Sequence, residues 1–227
     1  MTTRVSARGT RRDRADTERR LRAAVGRLLA KRGFAAVGVN AVAALAGVDK
    51  VLIYRYFGGL PELLAAYGAS AEFWPSAEEL LGPDDDAGAG AKANLDVVLA
   101  ALLRRFVDAL QRRPLTLEIL AWETVSRNEL TAQLEERRER WGEELERRLL
   151  SRFAPGRFDV AGLSILLVSA LQYLSIRARD LRVYGGIPLR EPAGWERIHQ
   201  VIATTFAAAL PAIAPRPNPS APAGDDD

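Results

Sequence analysis

The chain has 227 residues, 48% of them apolar and 27% charged, with a formal net charge of +3 and no cysteine. That length carries one large or two small domains with a real core, and the lack of cysteine excludes a disulfide framework and thiolate catalysis. No apolar run reaches the roughly 18 residues of a membrane span without polar interruption, and the Arg-rich N-terminus lacks the apolar block of a secretory signal, so a cytoplasmic protein without membrane contact is expected.

Residues 1–15 form a basic polar tail, expected to be disordered, with Arg4, Arg8, Arg11, Arg12 and Arg14 available to lie along phosphates or enter a minor groove. A first helix is predicted from about Asp16 to Arg32. Leu21, Val25, Leu28 and Leu29 form its apolar stripe, with Phe34 following, and Gly33 ends it. Residues 39–57, VNAVAALAGVDKVLIYRYF, then read as two short helices joined by a tight turn. Val42, Ala43, Ala46, Val48, Ile53 and Tyr56 are spaced to pack the two helices across each other, and Phe57 is expected in the core. Ala43 suits a close helix crossing. Gly47 is expected at positive φ, which only glycine reaches cheaply, and Asp49 to cap the second helix of the pair.

A fourth helix opens at Pro61, a preferred first-turn position. It carries Leu63, Leu64 and Tyr67 to about Ala71, and Ser76-Ala77-Glu78-Glu79 restarts helix as a capping box. Residues 82–91, GPDDDAGAGA, read as an acidic loop rather than a metal site. Helices follow over Asn94–Arg113, Pro114–Val125, a long one capped by Asn128, Phe158–Val183, and Ala193–Leu210, with a loop over 184–192 and no convincing strand. Residues 211–227 are Pro-rich and acidic, and expected to be disordered.

Charge is segregated along the chain. Residues 1–59 hold 13 Arg and Lys against 4 Asp and Glu, a net of +9, while the remainder is net −6. Arginine outnumbers lysine 29 to 3 in an Ala-rich chain, which indicates coding bias, so the distribution of charge and not its abundance is informative. A basic helix-turn-helix is what phosphate binding requires. Small helix pairs joined by glycine also occur as plain core hairpins, and the charge shifts the balance toward DNA binding.

At this point the chain resembles the TetR family of transcriptional regulators. The resemblance rests on Gly33-Phe34, Val39, Val42-Ala43, Ala46-Gly47-Val48, Leu52-Ile53-Tyr54-Arg55-Tyr56-Phe57 and Glu62-Leu63-Leu64, and covers about residues 18–66. It implies an all-α protein with a three-helix helix-turn-helix DNA-binding domain at 16–60 and a larger helical domain at 61–210 for effector binding and dimerisation. It further implies a homodimer on a palindromic double-stranded DNA operator, a small-molecule effector of unknown identity, and repression as the mode of regulation. DNA-contact candidates are Val39 and Asn40 at the start of the second helix, and Lys50, Val51, Tyr54, Arg55 and Tyr56 on the recognition helix. Lys50 and Arg55 suit base or phosphate contacts, and tyrosine hydroxyls can donate to phosphate. Tyr56 is spaced equally well for packing. Val51 and Leu52 suit packing or thymine-methyl contact. Three positions depart from the family pattern: Leu60 replaces a phosphate-contacting Lys, Asp49 a capping Ser, and Gly38 a Thr or Ser.

Candidates for the effector pocket are Trp74, Phe106, Trp122, Trp141 and Tyr173, with Glu123, Gln172 or Arg177 to orient a ligand. Dimer candidates are Leu163, Leu167, Leu171, Leu174, Ile198, Ile202 and Phe206, although this surface could equally be consumed inside one subunit. The lone His199 is expected to be a packed or surface histidine. No phosphate-cradling Gly loop, nucleophile elbow or paired-His metal motif is present, so no catalysis, metal or cofactor is expected. The alternative to a regulator is a helical protein-binding adaptor with weakened DNA affinity, supported only by Leu60 and Asp49.

Overall fold

The computed structural model describes residues 6–82, 94–125, 129–153 and 158–210. Among these the chain forms ten α-helices and one short hairpin. In order they are α1 (Ser6–Arg32), α2 (Val39–Ala46), α3 (Val51–Phe57), α4 (Leu60–Gly68), α5 (Ala77–Leu81), α6 (Leu95–Gln111), α7 (Pro114–Glu123), α8 (Glu129–Leu150), α9 (Val160–Arg177), β1 (Val183–Tyr184), β2 (Ile187–Pro188) and α10 (Pro192–Ala209). The fold class is all-α, as expected. Arg4, the Asp84–Asp86 run, the Asn128 cap and the tail over 211–227 lie outside the described residues.

The backbone groups into two compact units. The first comprises Met1–Ser76, Asp108–Trp141 and Ser175–Arg177; the second comprises Ala77–Val107, Gly142–Leu174 and Ala178–Asp227. Neither is a single stretch of sequence, because α7 packs with the N-terminal helices.

In the first unit, α1 starts ten residues before the expected Asp16. The segment is rich in Arg and Ala, which favour helix. Asp13, Asp16 and Thr17, which look like a helix start, act within the helix instead. Thr17 Oγ1 donates to the Asp13 carbonyl at 2.8 Å, Arg14 pairs with Glu18, and Arg19 with Asp16. Arg8, Arg11, Arg12 and Arg14 therefore lie on a helix and not on a tail. Gly33, at φ 69°, ends it by donating to the Leu29 carbonyl.

The core of this unit is the α1 stripe Leu21, Ala24, Val25, Leu28 and Leu29, with Ile53, Leu63, Leu64, Tyr67, Phe73 and Leu120. Gly26 lets α4 approach closely, since a Cβ there would sit 2.6 Å from the Tyr67 hydroxyl. Burial, with a smaller contribution from Glu72, lifts that hydroxyl's pKa above the ordinary phenol range. Helix α4 stops at Gly68, short of the expected Ala71. The chain beyond it is fastened by Arg113 Nε, donating to Ala71 O at 2.9 Å, and by buried Thr116 Oγ1, donating to Phe73 O at 2.6 Å.

In the second unit, Leu95, Leu99, Leu103, Phe106, Leu145, Leu149, Trp195 and Phe206 are buried. Helix α9 ends at Arg177 instead of continuing to Val183. Arg190 folds back onto the carbonyls of Ala178 and Arg179, and a hairpin forms where a loop was expected. Its Gly185 and Gly186, at φ 55° and 78°, make the two-residue turn that joins antiparallel strands. Trp195 Nε1 donates to Leu189 O at 2.8 Å. By length and composition α9 is apolar enough to cross a membrane, contrary to the sequence expectation, yet only 11% of it is buried in this chain.

Candidate nucleic-acid interface

Helix α2 starts at Gly38, in extended backbone, whose carbonyl accepts the Val42 N–H at 2.9 Å. It ends at Gly47 in the left-handed region, φ 65° and ψ 41°, with the Val48 N–H donating to Ala43 O at 3.1 Å. The turn is as short as the sequence implied. Asp49 Oδ1 accepts the Val51 N–H at 2.8 Å and its carbonyl accepts the Leu52 N–H at 3.1 Å, so Asp49 caps α3. Its carboxylate is thereby engaged with the helix start. Gly58, at φ 96°, closes α3 by donating to Tyr54 O.

Val42, Ala43, Ala46 and Ile53 are buried, as their spacing predicts. Val48, Tyr56 and Phe57 are only half-buried, so Phe57 is not the core residue expected. Ile53 faces inward with no exposure, whereas Val51 and Tyr54, 59% and 56% exposed, share the outward face with Arg55 one turn on. Val51 is thus not a packing residue. Lys50 and Asn40 are exposed, Val39 and Leu52 half-buried. The ring of Tyr56 lies under the Arg14 guanidinium, 5.0 Å from centroid to Cζ, and Arg14 also bonds Glu18.

One residue of this site escaped the sequence argument. Arg20 of α1 donates through Nη2 to Ala46 O at 2.6 Å and to Gly47 O at 3.1 Å. A fixed cation therefore meets the negative end of α2 and satisfies carbonyls the helix cannot. Its acceptors lie 26 and 27 residues away, so no local spacing announces it.

The effector-pocket candidates separate. Trp74 and Trp141 meet edge to face, with centroids 5.8 Å apart. Near them Glu123 holds Arg138 in a two-pronged ion pair, at 2.5 and 3.1 Å. The Arg138 guanidinium also lies over the rings of Trp74 and Phe73, at 5.5 and 5.9 Å. Burial pushes the Glu123 carboxyl above its ordinary pKa and Arg138 pulls it back. Trp122 is not with them. It is partly exposed and its indole packs where a Cβ of Gly33 would sit, 3.2 Å away, its N–H reaching Ala30 O at 3.4 Å. Phe106, Gln172 and Tyr173 fall in the other unit; Phe106 is core and Tyr173 is exposed against Tyr184. Arg177, at the end of α9, is half-buried.

The dimer candidates divide by burial. Leu171, Ile198, Ile202 and Phe206 are buried within this one chain, and Leu163, Leu167 and Leu174 are half-buried. The outward apolar residues are Ile165, Leu166 and Tyr173 on α9 and Val201 on α10, the last accompanied by exposed Ala203, Thr204, Ala207 and Ala208. The apolar stripe of α10 is real, but it fills the chain's own core. His199 is buried, its ring 6.4 Å from that of Trp195.

Comparison with known proteins agrees with this geometry. Residues 21–67 match the family described as bacterial regulatory proteins of the TetR family. No curated protein matches the chain. Among solved structures, a TetR family transcription regulator from Marinobacter aquaeolei VT8 is 18% identical, with 91% of this chain and 100% of that one covered and a TM-score of 0.56. A TetR-like transcriptional regulator from Rhodococcus sp. RHA1 is 22% identical, with 85% and 96% covered and a TM-score of 0.57. NalD of Pseudomonas aeruginosa, described as the secondary repressor of the MexAB-OprM multidrug efflux pump, is 16% identical, with 89% and 98% covered and a TM-score of 0.60. The fold is that of TetR-family transcription regulators: an N-terminal helix-turn-helix followed by a helical C-terminal domain.

Proposed function

We propose that this chain, matched to the TetR family through residues 21–67 and through its fold, is a homodimeric, sequence-specific DNA-binding repressor. It works without catalysis or cofactor, in the cytoplasm, and a small-molecule effector releases it from a palindromic operator. The observation that carries this is the two-faced α3. Ile53 anchors one side while Lys50, Val51, Tyr54 and Arg55 stand free on the other, on a turn fixed by Gly47, Asp49 and Arg20. Such a helix suits a major groove, with its basic and tyrosine side chains on base edges and phosphates. Residues 16–60 act as the reading head, and 61–210 as the effector and dimer domain. The uncovered apolar face of α9, with Val201 and the small residues of α10, is the surface we assign to the second subunit. The two recognition helices then meet grooves one turn, about 34 Å, apart, and effector binding favours a dimer that no longer matches that spacing.

The test is selection of bound genomic fragments, followed by salt titration of the tightest one. A short palindrome, an affinity that falls steeply with salt, and loss of binding on Tyr54→Ala or Arg55→Ala are expected. Binding that is weak and indifferent to sequence would favour the adaptor, which Leu60 at the start of α4 and Asp49 support. Ile165→Glu with Leu166→Glu should yield a monomer in sedimentation; a persistent dimer would place the interface elsewhere.

A further inference from the structure

We infer that α9 pairs antiparallel with the α9 of a second copy of this chain, in one register, about a two-fold axis between Ile165 and Leu166. The inference rests on the dimer reading and adds the direction and register of the contact. No charged residue lies between Asp159 and Arg177, and within α9 only Leu171 and Ser175 are buried. Ala161, Ile165, Leu166, Ser169, Ala170 and Tyr173 are exposed. At 3.6 residues per turn they fall within about half of the helix circumference. Gly162, half-buried, lies among them, and Phe158 stands exposed just before the helix.

This stripe reads alike from both ends. Across a two-fold axis, antiparallel helices set side by side the residues that lie equally far from the axis on opposite sides. Counted outward from the midpoint between Ile165 and Leu166, those two residues pair with each other, then Gly162 with Ser169, Ala161 with Ala170, and Phe158 with Tyr173. Each finds a partner of its own size. Large residues occupy the centre and the ends, with small ones between, so Ile165 and Leu166 seat in the recesses beside the small residues of the opposite helix. Tyr184 of the hairpin already meets Tyr173 edge to face, centroids 6.0 Å apart. Phe158 of the second copy therefore completes an aromatic cluster at each end of the pair. A symmetry of this kind serves only an identical partner. Charge sets the direction. A parallel pair would bring two copies of Asp159 together and two copies of Arg177 together, with the helix dipoles aligned. The antiparallel register places Asp159, whose Oδ1 accepts the Gly162 N–H at 2.8 Å, opposite the Gln172 amide, which can donate to its other oxygen.

The chain has no cysteine, so introduced thiols report on this contact alone. Full-length Ala161→Cys and Ala170→Cys chains, differently tagged, are co-expressed and mildly oxidised. Most of the mixed dimer should become disulfide-linked. Either variant by itself should link at no more than about a tenth of that yield. Its like positions then lie about 13.5 Å apart along the pair, at 1.5 Å per residue, whereas a disulfide spans Cα separations below about 7 Å. Phe158→Cys with Tyr173→Cys should behave in the same way at the ends of the stripe. Linking of each variant to itself would make the pair parallel and overturn the inference. A dimer in sedimentation that links in no combination would overturn the register and leave the dimer reading standing. A monomer in sedimentation would overturn both.

Discussion

Arg20→Met is the most direct probe of how the helix-turn-helix is held. The methionine keeps the stem of the side chain and removes the guanidinium, so two carbonyls, Ala46 O and Gly47 O, lose their donor. A hydrogen bond to a charged group contributes about 1.5–3 kcal/mol when well buried. Arg20 is half-buried and one of its two bonds lies on the exposed side, so about 1–2 kcal/mol for the pair is the right scale. Melting should fall by roughly 2–8 °C in a chain of this size. If the loosened turn removes the binding geometry to the same extent, operator affinity drops about 5- to 30-fold. Because the guanidinium donates to carbonyls and not to phosphates, the slope of affinity against salt should not change. Arg55→Gln, in contrast, should reduce that slope by about one. The reasoning is refuted if Arg20→Met leaves melting untouched and cuts the salt slope by one, since Arg20 would then be a phosphate contact.

Other positions can be tested in the same preparations. A Cβ at Gly38 meets nothing within 4 Å and its backbone is extended, so Gly38→Ser should raise stability by a few tenths of a kcal/mol through a side-chain cap; a lower melting temperature would contradict the open space. At Gly194 a Cβ would lie 2.0 Å from the Pro188 carbonyl oxygen. Gly194→Ala should therefore cost about 1–3 kcal/mol, and an unchanged melt would disprove the close approach. Arg104 grips Glu196 with bonds of 2.8 and 3.0 Å and holds its carboxyl below the usual carboxylate range. A depressed folded-state pKa stabilises above the ordinary pKa and ceases to do so as pH falls through the depressed one. The small melting advantage of wild type over Glu196→Gln should thus be present at pH 7 and vanish in acid, and an advantage that grows on acidification would reverse the assignment.

The turn and the two faces of α3 were legible because most residues that set them are local. Gly47 and Asp49 lie within a few residues of the groups they serve, and Ile53 is the apolar position that faces inward. Arg20 was not legible, since its partners come from another helix. The apolar stripe Ile198, Ile202, Phe206 was visible, but a stripe does not say whether it faces its own chain or a second copy, and here it faces its own. In α9 apolar residues fall on every side of the helix, so periodicity could not choose a face. The Gly185-Gly186 turn signal was present between Tyr184 and Ile187, and strands of two residues are too short for an alternating pattern to reveal them. Of the aromatic candidates, Trp74 and Trp141 come together while Trp122 braces α1, a distinction made only by how α7 and α8 lie in the first unit.

Helix α1 can also be considered as a mechanical part. Its contacts are strung along one rod: Trp122 touches it at Ala30, Tyr67 closes on it at Gly26, and Arg14 covers Tyr56 near its other end. With Gly26 as fulcrum, the arm toward Ala30 is about 6 Å and the arm toward Arg14 about 18 Å at 1.5 Å per residue. A push of about 0.5 Å delivered by Trp122 therefore emerges as about 1.5 Å of travel at Arg14 and Tyr56. The rod thus multiplies displacement about threefold at the expense of force, so a small shift where Trp122 meets Ala30 is felt most at the end of α1 that lies over Tyr56 of α3.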